Sequence, residues 1–264
     1  MNLSRRLLYA SDIWEVARPR TALTAGHLLI RLSNPAIAFD LRSAADWLLC
    51  ASAARRALAE VLGATGFAVV FAHQWHPIGA AIGEPEVESS TPTFHLFGRW
   101  DGETVSPGEQ LRLPAQRRLP VSAAERMKYD DGLRAALRRA ALERAALERA
   151  AAVPEPVAGQ EHAVEQAGVL PPVLSWSPEP NAGPLHTMLA TDSGSPQIGP
   201  ADLLAAAAAL PGLTARLGVG GVSCVAADAA GPRLEIHALG RSVGEPVNPL
   251  ELLLELPEVS HALL

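Results

Sequence analysis

The sequence predicts an α+β protein of two related lobes, each an antiparallel sheet with one principal helix, plus a long helix and a Pro/Ala-rich linker. The main observation is a repeat: Phe94-His95-Leu96-Phe97-Gly98-Arg99 returns as Ile236-His237-Ala238-Leu239-Gly240-Arg241. Continuing in step from the two histidines, Gly102 meets Gly244, Glu103 meets Glu245, Pro107 meets Pro249 and Leu111 meets Leu253. A further observation is that each copy follows the same succession of strand, amphipathic helix and Gly-led strand. Residues 1–121 are therefore assigned to the first lobe, 122–172 to the long helix and linker, and 173–264 to a second, shorter lobe.

Taken in order, Ile13–Val16 and Gly26–Leu32 read as two short strands around a turn containing Pro19 and Gly26. From Ser43 to about Leu62, Trp47, Leu48, Ala51, Ala54, Leu58 and Val61 recur at helical spacing, so an amphipathic helix is expected. Gly66–Phe71 reads as a buried strand, and Thr91–Trp100 as the strand that carries the repeat. Ser122-Ala123-Ala124-Glu125 has the form of a capping box and opens a helix to about Ala152. Asp130 with Arg134, Arg139 with Glu143 and Arg144 with Glu148 stand four apart and would support that helix. Its arginines alternate with acids, which favours a solvated or packed face over a polyanion site.

The second lobe repeats this plan. Ala182–Leu189 stands where Ala25–Ile30 stood, Pro200-Ala201-Asp202-Leu203 opens a helix as Phe39-Asp40-Leu41 did, and Gly221–Val225 matches Gly66–Val70. His27 and His186 are matched only approximately in this reading, one place out of register. Between Gly-led strand and repeat, the first lobe carries an insertion of about 13 residues that spans His73, His76, the glycines and Glu84-Pro85-Glu86-Val87-Glu88.

Composition narrows the function classes. In 264 residues, nearly half apolar, there is enough chain for two modest cores. A net charge of −6 supplies no overall basic field, so nucleic acid is not an expected partner. No apolar run approaches the ~18 residues of a membrane span, and the N-terminal Leu7–Ala10 run is too short for a signal core. A cytoplasmic protein without membrane association is expected. Cys50 and Cys224 fall in a predicted helix and a predicted strand, and read as small buried hydrophobes.

Period two along the repeat strands places Thr91, Thr93, His95, Phe97 and Arg99 on one face. The corresponding set is Arg233, Glu235, His237, Leu239 and Arg241. A histidine near an arginine on one face offers an acid/base group and a fixed cation to a phosphate or carboxylate.

These residues carry a resemblance. Leu23-Thr24-Ala25-Gly26-His27-Leu28-Leu29-Ile30, followed by a helix, a Gly-led strand and His95-Leu96-Phe97-Gly98-Arg99, resembles the histidine-triad (HIT) superfamily. Two such lobes resemble the arrangement in galactose-1-phosphate uridylyltransferase and the diadenosine-tetraphosphate phosphorylases. Gly79-Ala80-Ala81-Ile82-Gly83 is also similar to a Gly-Ala-Ala-x-Gly segment of the uridylyltransferases. The resemblance spans about residues 13–111 and, more faintly, 173–256. It implies two HIT-like lobes forming an intrachain pseudo-dimer.

The sequence departs from the family where the family's chemistry lies. With His95 on the third histidine of the His-x-His-x-His pattern, Thr93 stands at the nucleophile and Thr91 at the first histidine. In the second lobe these positions hold Glu235 and Arg233. Threonine without an adjacent base is a weak nucleophile, and a carboxylate attacking phosphorus would normally need a metal.

The expected function is thus a noncanonical HIT-like enzyme using histidine for proton transfer or anion contact. Its substrate would be small, nucleotide-like or a specialised metabolite. His95, His237 and Glu235 are the candidate catalytic residues; Thr93, Arg99, Arg241, His76 and Thr91 are candidate ligand contacts. The expected partner is a small-molecule ligand, a nucleotide or phosphate, with further homo-oligomerisation left open. No cofactor and no metal are expected, although His73, His76 and His95 with Glu86 or Glu88 form a conceivable constellation. The alternatives are a catalytically silent binding or scaffold protein, and a nucleotidyltransferase or nucleotide hydrolase.

Overall fold

A computed structural model of the chain describes residues 6–74, 92–103, 105–113, 117, 122–151, 173–178, 185–192, 198–227 and 234–241. The expected linker, most of the insertion and the chain after Arg241 lie outside these residues. The architecture is α+β, and the described strands form one antiparallel sheet.

Nine strands make up that sheet: β1 (Leu7–Ala10), β2 (Trp14–Ala17), β3 (His27–Leu32), β4 (Gly66–His73), β5 (Thr93–Arg99), β6 (Val173–Pro178), β7 (His186–Asp192), β8 (Gly221–Ala227) and β9 (Glu235–Arg241). Their order is β1-β2-β3-β5-β4-β8-β9-β7-β6. Strands β2-β3-β5-β4 are thus mirrored in sequence by β6-β7-β9-β8, and the two sets meet where β4 pairs β8. At that junction Val70 is opposite Val225, with Val69 opposite Ala226 and Phe71 opposite Cys224.

Four helices accompany the described strands: α1 (Leu41–Leu62), α2 (Pro107–Arg112), α3 (Ala123–Ala151) and α4 (Pro200–Leu217). Local chemistry sets the ends of α1. The Asp40 carboxylate accepts from the Ser43 N–H at 2.9 Å, and the Ser43 hydroxyl accepts from the Asp40 N–H at 2.7 Å, a reciprocal cap that starts the helix at Leu41, two residues before the expected start. Gly63 ends the helix at φ 72°, a left-handed conformation that glycine adopts without a Cβ penalty. In α4, Pro200 fixes the first turn and Asp202 reaches back to the Gly199 N–H at 2.8 Å.

Helices α1 and α4 cover one face of the sheet. Trp47, Ala51, Ala54 and Leu58 of α1 pack with Leu28, Ile30, Val69 and Leu96 into a continuous apolar core that also takes in Leu210, Leu213, Val222, Cys224 and Ile236. Phe94 meets Trp14, Trp47 and Phe71 edge-on or tilted within this layer. Alternation then places His27, Leu29, Val70, His95 and Phe97 on the opposite face. Both cysteines are buried and free, as the sequence suggests, Cys50 in α1 and Cys224 in β8.

Charges of α3 pair across to α1 and to Arg18, which follows β2. Glu143 takes Arg56 at 2.8 Å, Arg139 takes Glu60, Arg144 reaches Asp46 at 3.5 Å, and Asp130 takes Arg18 at 2.8 Å. Leu133, Ala136 and Leu137 are buried between these charges, so α3 is a packed helix whose charged rows flank an apolar seam. At Gly132 a Cβ would come within 3.2 Å of Val61, which shows how closely α3 lies on α1.

Candidate functional site

The site is a pair of imidazoles that occurs twice. On β3 and β5, His27 Nε2 lies 3.0 Å from His95 Nδ1; on β7 and β9, His186 Nε2 lies 3.0 Å from His237 Nδ1. The register explains the recurrence: His27 is opposite Phe97, two residues past His95, and His186 is opposite Leu239, two residues past His237. His27 and His186 are therefore equivalent by strand pairing. The one-place offset expected from the sequence is absorbed before the strands begin, where Gly26 corresponds to Leu185: Gly98 N–H donates to Gly26 O and Gly240 N–H to Leu185 O, each at 3.0 Å.

The proton positions of the first pair follow from its partners. The Leu23 backbone N–H donates to His27 Nδ1 at 3.2 Å, so neutral His27 carries its proton on Nε2 and donates it to His95 Nδ1. His95 is left with its own proton on Nε2. Burial holds both rings uncharged. His27 sits well below the ordinary histidine range through burial first, with His95 and the Arg18 cation adding to it. Burial likewise brings His95 down to about 4. Phe97 stacks on His27 with ring centroids 4.2 Å apart and closes one side of the pair. The chemistry available is that of a neutral, oriented N–H donor, suited to an anionic or carbonyl oxygen.

The two pairs lie on one face of the sheet, where Leu29, Val70 and Val225 are buried. Leu29, His95, Val70, Val225, His237 and Met188 are successive cross-strand neighbours, a single row over six strands. His95 and His237 are three strand spacings apart, about 14 Å, with the two valines between them.

The other sequence candidates fall around this row. Arg99 is bonded by its Nε to Glu103 at 2.5 Å, and burial raises the Glu103 carboxyl in spite of that cation. Thr93 is half-buried opposite Arg31, whose guanidinium is held by Glu15 at 2.8 and 3.0 Å. Glu235 is half-buried opposite Ala190. Arg241 is buried, and its Nη1 donates to Ser223 Oγ at 2.9 Å. His76 and Thr91 lie outside the described residues.

His73 falls on the helix-covered face of β4, one residue out of phase with Val70 and His95. The conceivable metal constellation therefore loses His73, and no cluster of three or more histidine, cysteine or acidic side chains suited to a metal occurs among the described residues.

Sequence reasoning chose His95 and His237 but omitted their partners His27 and His186. It also missed Arg18, buried to 1% exposure, which donates from Nη1 to Ala25 O at 2.5 Å and His27 O at 3.1 Å. The Gly-His dipeptide at the head of β3 was the available signal for His27; Arg18 offers none, because its partner Asp130 is far away in the chain.

No protein-family model matches the chain, and no curated protein matches it. Among solved structures, the chain is similar to a HIT-like protein involved in cell-cycle regulation from Bartonella henselae, with 14% identity and a TM-score of 0.33 over 50% of this chain and 85% of that one. It is also similar to a zinc-bound histidine triad family protein from Mycobacterium smegmatis, with 21% identity and a TM-score of 0.33 over 53% of this chain and 86% of that one. No described helix is long and apolar enough to cross a membrane.

Proposed function

We propose that the chain is a tandem HIT-like protein, an intrachain pseudo-dimer whose two imidazole pairs contact one small anionic ligand class, nucleotides or related phosphates. The observation that carries this reading is the recurrence of the same histidine pair, at the same separation and strand register, in both halves. The junction supports the duplication, because pairing about Val70 and Val225 has the form of a local twofold axis.

The pairs act as uncharged hydrogen-bond donors. His95 keeps its proton on Nε2 while its Nδ1 is occupied by His27, so in this tautomer it has no free lone pair with which to attack phosphorus. Thr93, at the position of the family's nucleophile, is opposite Arg31. That guanidinium is held by Glu15 and cannot activate a hydroxyl by taking its proton. The reading is therefore of ligand binding through hydrogen-bond donation, on nucleotide-like or specialised-metabolite substrates, without a covalent nucleotidyl intermediate.

A thermal-shift and calorimetric panel of nucleotides, nucleotide sugars and inorganic phosphate tests this. A ligand at 100 times its dissociation constant stabilises by about 2.7 kcal/mol. The expected result is a shift with at least one nucleotide or phosphate that disappears in the His95→Ala/His237→Ala double variant. A panel without any shift, or a shift that survives the double substitution, sinks the proposal.

A scaffold reading has its own observation: Met127 and Leu142 on α3 are 71% and 69% exposed. It is favoured if a tight protein complex depends on those two side chains and no small molecule stabilises the chain.

A further inference from the structure

We propose that Arg18 and Asp130 form a latch through which the long helix α3 positions the His27–His95 pair, so that the first pair alone answers to the docking of that helix. This rests on the reading of the histidine pairs as the ligand-facing groups, and it names what controls one of them.

The contacts form an unbroken series. Asp130 on α3 accepts from Arg18 Nε at 2.8 Å, and both side chains are largely buried. The same guanidinium donates from Nη1 to the carbonyls of Ala25 and His27, which bracket Gly26. Gly26 is pinned from the other side by the Gly98 N–H, and a Cβ there would lie 2.6 Å from the Gly98 carbonyl oxygen. The segment so held delivers the Leu23 N–H to His27 Nδ1, which sets the tautomer of His27 and hence of His95.

The charges around the latch explain why Asp130 is needed. Arg18 also feels Arg126 and Arg134 of the same helix, both of which oppose its charge. His27 faces Arg18 and His95. Without the Asp130 carboxylate, a buried guanidinium among like charges loses its compensation and is driven toward solvent, which releases the two carbonyls.

At the position that matches Arg18, the second half has no side-chain donor. Continuing the β2–β3 register by one residue brings Arg18 opposite Leu28, next to His27. In the second half the matching neighbour of His186 is Thr187, and its partner on β6 is Pro178. Proline has no side-chain donor, so nothing at that position can repeat the clamp.

The test uses the full-length, uniformly 15N-labelled chain without ligand, and reads ring nitrogen and ring N–H signals of the four histidines. In Asp130→Ala, exchange of the His27 and His95 ring N–H protons with water is expected to speed up about tenfold or more, with loss of the single tautomer pattern. The His186 and His237 signals are expected to stay as in the parent protein. Asp130→Asn, which keeps an oxygen acceptor, is expected to fall between the two. Unchanged His27 and His95 signals in Asp130→Ala, or equal changes in both pairs, overturn the latch. If Asp130→Ala does not fold, Arg18→Lys supplies the same comparison, since a single ammonium cannot reproduce the fork. Because no ligand is present, this outcome is separate from that of the nucleotide panel.

Discussion

Val70 is paired with Val225 at the junction of β4 and β8, and this pair is the midpoint of the row that runs from His95 to His237. The backbone pairing on either side is the same read in both directions, since the neighbours are Val69 with Ala226 and Phe71 with Cys224. The side chains do not follow that sameness. Ala68 in one half corresponds to Ser223 in the other, and Ser223 is the residue that holds Arg241, while the corresponding Arg99 turns to Glu103.

The buried imidazoles make stability depend on pH. His27 and His95 both have folded pKa values below the unfolded value, so the unfolded chain binds more protons. Their contribution is fully present above the unfolded value near 6.5 and is lost as pH falls through that value toward about 4. For His95 alone the loss is on the order of 3 kcal/mol by the acid end of that window. Urea midpoints measured at several pH values across the window should fall toward acid, and His95→Gln should flatten the fall. Equal slopes in the two proteins would contradict the assignment.

Gly26→Ala should destabilise the chain by about 1–3 kcal/mol, because the new methyl group meets the backbone of Gly98, which cannot swing away like a side-chain end. The same variant should disturb the ring signals of His27 more than those of His186. Chemical denaturation and the histidine spectrum together check both parts.

Thiol chemistry offers a plain test of the core. Cys50 and Cys224 are buried and free, and burial, with Asp46 adding to it, pushes the Cys50 thiol up to about 12. A neutral-pH disulfide reagent should therefore leave both thiols unmodified in the native protein and titrate two in denaturant. Rapid modification of Cys50 in the folded chain would refute its placement.

Much of the fold was legible because its signals are local. The stripe from Trp47 to Leu58 announced α1, and Pro200-Ala201-Asp202 announced α4. The strands β1 and β6 were not legible: Leu7–Ala10 is only four residues long, and Val173–Pro178 ends in proline and follows a Pro-rich stretch. Each becomes a strand by pairing with a neighbour already in the sheet, β1 with β2 and β6 with β7. The helix α2 carried a readable reciprocal cap between Ser106 and Glu109, but its short span was read only as part of the repeat.

The site was half legible for the same reason. His95 and His237 stood out because the repeat carries them, whereas their partners depend on register between separate strands. That register is set by close backbone approaches such as Gly26 against Gly98, which a linear comparison does not measure. Spacing along α3 suggested Arg139 with Glu143, whereas Arg139 pairs with Glu60 and Glu143 with Arg56 on α1. Spacing of four allows a pair but does not decide between a neighbour on the helix and one across a packed interface.

The β4–β8 seam also bears on how the molecule comes together. It joins segments roughly 150 residues apart in the chain, and contacts of such range reward the chain only after a long loop has closed. Pairing of such range is expected to form late in folding, which would leave β4 and β8 as open edges until the row from His95 to His237 is complete. Exchange across that seam between two molecules would rebuild the same row from two chains, and the expected sign is a dimer on size-exclusion chromatography after refolding at high protein concentration.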